Sequence, residues 1–115
     1  MDNDFNSQDN HGPFELFGFG DFKLENGGKI PNAKLAFSTA GKLNAAKDNV
    51  VFLPHMYSGS SKQILDVLVG DDLALDPRKC FAILPNHLGN GLSSSPHNTP
   101  APFDGVNFPE LEHAD

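Results

Sequence analysis

The 115 residues suffice for one domain and not for two. Eight Lys and Arg against fifteen Asp and Glu leave a formal charge of −7, which argues against nucleic acid or an anionic membrane as partner. A single cysteine, Cys80, excludes an internal disulfide, and no apolar run approaches the ~20 residues of a bilayer span; with a polar, acidic start and no leader-like segment, the expectation is a cytoplasmic protein.

Residues 1–13 are polar and read as a flexible tail, so the domain is expected over residues 14–115. Two loosely alternating runs follow, around 20–25 and 33–40, separated by Asn26-Gly27-Gly28, whose residues tolerate the positive φ of a hairpin turn. They predict an antiparallel pair. Val50, Val51, Phe52 and Leu53 form an unbroken apolar run ended by Pro54, the pattern of a parallel strand buried on both faces. Ser60 or Ser61 can cap a helix over about 62–69, with Ile64, Leu65 and Leu68 on one face and Gly70 at its end. A second buried strand is expected over 80–84, stopped by Pro85. Strand, helix and strand in this order make a βαβ unit with parallel strands. Residues 86–108 carry no periodicity, and residues 110–115 have the acidic character of a helix start.

The turn at His55-Met56-Tyr57-Ser58-Gly59 leaves the carboxyl end of the first parallel strand, where open α/β sheets place their ligands. Backbone N–H groups there can face a developing oxyanion; an ordinary strand-to-helix loop reads equally well. Gly91-Leu92-Ser93-Ser94-Ser95 approaches the Gly-x-Ser-x-Gly nucleophile elbow but lacks its last glycine. Eight residues separate Ser93 from the apolar run over 80–84, and Pro96 and Pro100 oppose a following helix. A serine-rich loop bonding its own backbone is the better reading. The five histidines (11, 55, 87, 97 and 113) have no metal-site spacing, Gly89-Asn90-Gly91 is too short for a phosphate cradle, and Cys80 reads as a small buried hydrophobe.

Taken together, Ala40-Gly41-Lys42-Leu43-Asn44, His55-Met56-Tyr57-Ser58-Gly59, Phe81-Ala82-Ile83-Leu84-Pro85-Asn86 and Leu88-Gly89-Asn90-Gly91-Leu92-Ser93-Ser94-Ser95-Pro96 resemble the amino-terminal part of the homoserine O-acetyltransferase-like branch of the α/β-hydrolase fold. The resemblance covers about residues 14–110, and its most specific part is the block over 86–96. It implies an α/β fold class: an antiparallel hairpin followed by a parallel βαβ unit, belonging to a larger, mostly parallel sheet and stopping before the nucleophile elbow. It further implies a Ser-His-Asp triad that moves an acyl group from acetyl-CoA to an alcohol or hydrolyses an ester. The substrate would be a small molecule, no cofactor would be tightly bound, and the complete protein could form a homodimer.

By family position the Tyr57 backbone N–H would be one oxyanion-hole donor, and the residue after the nucleophile would supply the second. The nucleophile, Asp and His would all lie beyond Asp115, leaving this chain inactive alone. At His55-Met56 the chain departs from relatives that carry Thr or Ser and an aromatic residue. The alternative expectation is a non-enzymatic interaction module that pairs an exposed strand edge with another chain.

Overall fold

The computed structural model describes residues 8–57, 59–112 and 114–115; expectations resting on residues 1–7, Ser58 and His113 lie outside them. In chain order the elements are a one-turn helix α1 (Gln8–His11), strands β1 (Glu15–Lys23), β2 (Lys29–Ala40) and β3 (Val50–Phe52), helix α2 (Ser61–Leu68), strand β4 (Phe81–Pro85) and a 3₁₀ turn at Gly105–Asn107. The four strands make one sheet in the order β1-β2-β4-β3. β1 and β2 are antiparallel, as are β2 and β4, whereas β3 and β4 run parallel on either side of α2 in sequence. The hairpin and the βαβ unit are both present.

Strand boundaries differ most in the hairpin. β1 starts at Glu15, ahead of the expected 20, and β2 at Lys29, ahead of 33. The register of the pair shifts between Gly18 and Gly20 and again between Gly20 and Phe22. Such bulges break the two-residue alternation from which strands are read, while pairing continues on both sides. Asp21, within this irregular stretch, accepts the Asn32 N–H at 3.1 Å and pairs with Lys29 at 3.2 Å. Those donors, the Asn32 amide first, hold its carboxyl below the usual range.

Two apolar clusters hold the molecule. Ile64 and Leu75 meet Ala82 and Leu84 in the first, with Val51, Leu53, Leu65 and Leu68 packed around them. Ile64, Leu65 and Leu68 therefore occupy the expected face of α2. In the second, Leu24, Ile30 and Ala33 of the hairpin are covered by Phe19, Phe22, Leu88, Phe108 and Leu111. Ile30 and Leu84 are fully buried, each contributing about 1.5–3 kcal/mol.

Gly41 shows how tightly β2 leaves the sheet: its φ is +82°, and a Cβ there would run into the Cys80 carbonyl oxygen and lie 2.8 Å from that of Pro77. Cys80 itself is half-buried against the first cluster, its thiol donating to the Asp76 carbonyl at 3.3 Å. Nearby, Arg78 bonds the buried Asp76 carboxylate, whose pKa this side chain, with the Arg78 and Asp72 amides, drives far below the usual range.

Two expectations need correction. β3 is not buried on both faces: Val50 is 45% and Phe52 63% exposed, because no described element covers that side or lies beyond β3. Residues 110–115 do not begin a helix among the described residues. They fold back on the hairpin turn instead, with Asp115 accepting the Glu25 N–H at 2.8 Å and the Glu110 carbonyl accepting from Asn26 at 3.0 Å. The segment read as a tail includes α1, and the carbonyl of Pro13 just after it accepts from Ser38 at 2.9 Å.

Candidate functional site

The carboxyl end of β3 opens onto a cleft of about 960 Å³, floored by the turn His55, Met56, Tyr57 and Gly59, the start of α2 and residues 87–90. Ser60 is the N-cap of α2, and the Gln63 side chain reaches back to accept its N–H at 3.3 Å. This fixes where the turn ends and the helix begins. Within the turn, the Met56 carbonyl accepts two hydrogen bonds, from the Gly59 N–H at 2.9 Å and from His55 Nδ1 at 2.8 Å. The Tyr57 N–H donates to no group among the described residues, and the Tyr57 side chain is 98% exposed.

His55 is held from its other side. Its Nε2 lies 3.1 Å from the His87 N–H and 3.2 Å from the Asn90 amide nitrogen. The His87 ring stands edge-on at 4.3 Å between centroids and bonds the His55 carbonyl through Nε2 at 3.2 Å. Because a carbonyl can only accept and a backbone N–H can only donate, His55 must be the neutral Nδ1–H tautomer. Burial is the main cause lowering its pKa, assisted by His87 and opposed by the bond to Met56.

Residues 86–95 support this turn. Asn86 is fully buried and bonds Ser61 N–H at 3.0 Å, Ser61 Oγ at 3.1 Å, the Ala36 carbonyl at 3.2 Å and Asn90 at 3.1 Å. Asn90 in turn accepts the Leu92 and Ser93 N–H groups, at 2.9 and 3.2 Å. The serines bond partly within their own loop and partly to the backbone of β2. Ser93 Oγ accepts the Ala36 N–H at 2.8 Å and donates to the Asn86 carbonyl at 2.7 Å. Ser94 Oγ accepts the Lys34 N–H at 2.9 Å, and Ser95 Oγ bridges the Gly91 N–H and the Ser93 carbonyl. The Ser93 and Ser94 hydroxyls satisfy the β2 backbone beyond the end of β4 and that of Ser95 the loop's own backbone, so none is poised as a nucleophile.

The structure therefore brings Tyr57, His55, His87 and Asn90 to one cleft and leaves Ser93–95 in the scaffold. Sequence reading singled out Tyr57 but missed the connection through Asn90, whose only signal was its place between two glycines. Among the described residues no three His, Cys, Asp or Glu side chains are grouped to hold a metal, and no helix is long and apolar enough to cross a membrane.

No family model matches the sequence. An ethyl acetate hydrolase of Pseudomonas veronii is 42% identical over 113 residues, 98% of this chain and 32% of that protein. The crystal structure of an acetylester hydrolase from Corynebacterium glutamicum superposes with a TM-score of 0.92 at 41% identity, over 96% of this chain and 32% of that one. The homoserine O-acetyltransferase of Cyclobacterium marinum is 37% identical over 83 residues, 65% of this chain and 24% of its own. The chain belongs to the homoserine O-acetyltransferase-like family of α/β-hydrolase fold. It spans between 24% and 32% of the length of these relatives. The hairpin and the βαβ unit of this α/β-hydrolase-fold chain thus superpose on about a third of that hydrolase.

Proposed function

We propose that the chain carries the oxyanion side of an acyl-transfer site, with the Tyr57 backbone N–H as one donor. The observation that carries this reading is the turn after β3. There the Met56 carbonyl is doubly bonded while the Tyr57 N–H of the same peptide unit donates to none of the described residues, at the lip of a cleft. An amide fixed before the reaction stabilises developing oxyanion charge without reorganising, a contribution of about 3–4 kcal/mol per donor.

The 115 residues contain no Gly-x-Ser-x-Gly, and the serines of residues 93–95 are occupied. On this reading the nucleophile, its Asp and His, and the second donor belong to the portion of its relatives that the chain does not span, and the chain alone turns nothing over. The complete enzyme would be a cytoplasmic hydrolase of small esters, with homodimer formation open to it. Similarity across 98% of the chain to a protein named for ethyl acetate hydrolysis favours water over homoserine as acyl acceptor. Transfer from acetyl-CoA to an alcohol is the second reading, favoured by the homoserine O-acetyltransferase relatives. A non-enzymatic role has its own support in the exposed β3 edge, which could add a strand from another chain.

The test joins residues 1–115 to the remaining two thirds of the Pseudomonas veronii hydrolase. Turnover of p-nitrophenyl acetate, and of acetyl-CoA with homoserine, is then compared with that of the chain alone. The fusion should hydrolyse the ester. Tyr57→Pro, which removes the N–H, should lower kcat about 10²–10³-fold, while Tyr57→Phe stays near the parent. Turnover by the chain alone that vanishes on substituting Ser93, Ser94 or Ser95 would overturn the proposal.

A further inference from the structure

We infer that His55 is the positioning residue of this turn, aiming and polarising the Tyr57 N–H through the peptide bond it shares with Met56. The inference rests on the role proposed for Tyr57, but its geometry stands by itself. In a trans peptide the N–H of Tyr57 points opposite to the Met56 carbonyl, so whatever grips the carbonyl sets the direction of the amide. His55 Nδ1–H grips it at 2.8 Å, and the Gly59 N–H does so at 2.9 Å. Two donors on one carbonyl also draw electron density from the amide nitrogen and strengthen its N–H as a donor.

The imidazole cannot turn to release that carbonyl without losing both partners of Nε2. The His87 N–H and the Asn90 side chain point donors at this nitrogen from 3.1 and 3.2 Å. Asn90 is itself anchored by the Asn86 carbonyl oxygen of the side chain at 3.1 Å and by the amides of Leu92 and Ser93. The Gly-Asn-Gly segment is thereby connected to the oxyanion turn through one imidazole.

The arrangement works only with His55 neutral. Protonation of Nε2 would set a donor against two donors and loosen the ring from its seat. Against the ring, the titratable neighbour is His87, in edge contact; His11, Lys62, Glu112 and Asp115 also line the cleft. With the His55 pKa lowered from 6.5, the seat is intact above that pH and is lost as pH falls through the depressed value.

Two measurements test this, one independent of catalysis. Long-range ¹H–¹⁵N spectra of the histidine-labelled hydrolase fusion, with the His55 signals assigned by their loss in His55→Asn, should give the Nδ1–H tautomer. The Tyr57 amide resonance should move with the same apparent pKa as the His55 ring. An Nε2–H tautomer, or a Tyr57 amide indifferent to His55 titration, overturns the inference. In the hydrolase fusion, His55→Phe should lower kcat about tenfold with little change in KM. His55→Asn, whose amide nitrogen falls near the Nδ1 position, should recover most of it. Equal loss in both variants also counts against positioning. If Tyr57→Pro leaves kcat unchanged while the spectra behave as stated, it is the oxyanion role of Tyr57 that fails, and the hold of His55 on the peptide stands.

Discussion

Replacing Asn86 by alanine removes the amide that joins β2, α2 and the cleft loop. Four side-chain hydrogen bonds disappear, yet they are not equivalent. The Ala36 carbonyl keeps the Asn86 N–H at 2.8 Å, Ser61 Oγ keeps Ser38 Oγ at 3.1 Å, and the Asn90 amide keeps His55 at 3.2 Å. Only the Ser61 N–H is left with no partner, at a residue with 0% exposure. An orphaned buried donor costs about 1–3 kcal/mol, and three weakened but still bonded groups add roughly 0.5 kcal/mol each, for a loss of about 3 kcal/mol.

That is a large share of the ~5–15 kcal/mol of a typical domain. Urea unfolding of the hydrolase fusion, followed by far-UV circular dichroism, should register it as a lower midpoint at unchanged slope. Exchange of the Ser61 amide should accelerate more than that of Ile64, one turn further along the same helix. A loss under about 1 kcal/mol, or unchanged Ser61 protection, would refute the claim that Asn86 satisfies the first turn of α2.

Ser93→Ala orphans the buried Ala36 N–H and should cost about 1–3 kcal/mol, while the folded fusion keeps its esterase kcat within about twofold; loss of kcat without loss of stability would make Ser93 more than scaffold. Asp76, with its pKa depressed below 3.8, contributes stability that is present above that pH and lost as pH falls through the lower folded value. Asp76→Asn should therefore destabilise at pH 7 and progressively less as pH falls below 3.8, which paired acid and neutral melts will read. The chain by itself presents the free side of β3 with Val50 and Phe52 exposed, and it should self-associate or fold only in part. Light scattering that finds a monodisperse monomer, together with a single cooperative melt, would contradict this.

The sequence by itself determined what depends on near neighbours. The apolar run over 50–53 and the second over 80–84 gave parallel strands because a strand needs only a few consecutive β-forming residues. The i, i+1, i+4 spacing of Ile64, Leu65 and Leu68 gave α2 and its inward face, and Ser60 marked its start. Of the serine triplet only the part bonded within the loop was legible for the same local reason, Ser95 to Gly91 and Ser93 and Ser93 to Asn86. Hairpin boundaries were not, because the irregularities around Gly20 scramble the alternation that announces a strand.

Only the tertiary structure decided which distant groups meet. Ser93 reaches Ala36 across 57 positions and His87 reaches His55 across 32, separations that leave no periodicity to read. It likewise decided that one face of β3 stays open, since an apolar run reports its capacity to be buried and not whether anything covers it. The turn over 55–59 was singled out from its place at the end of a strand, and Tyr57 within it from the family resemblance. His55 and Asn90 acquire their meaning only when folding turns a backbone carbonyl, a ring and an amide toward one another.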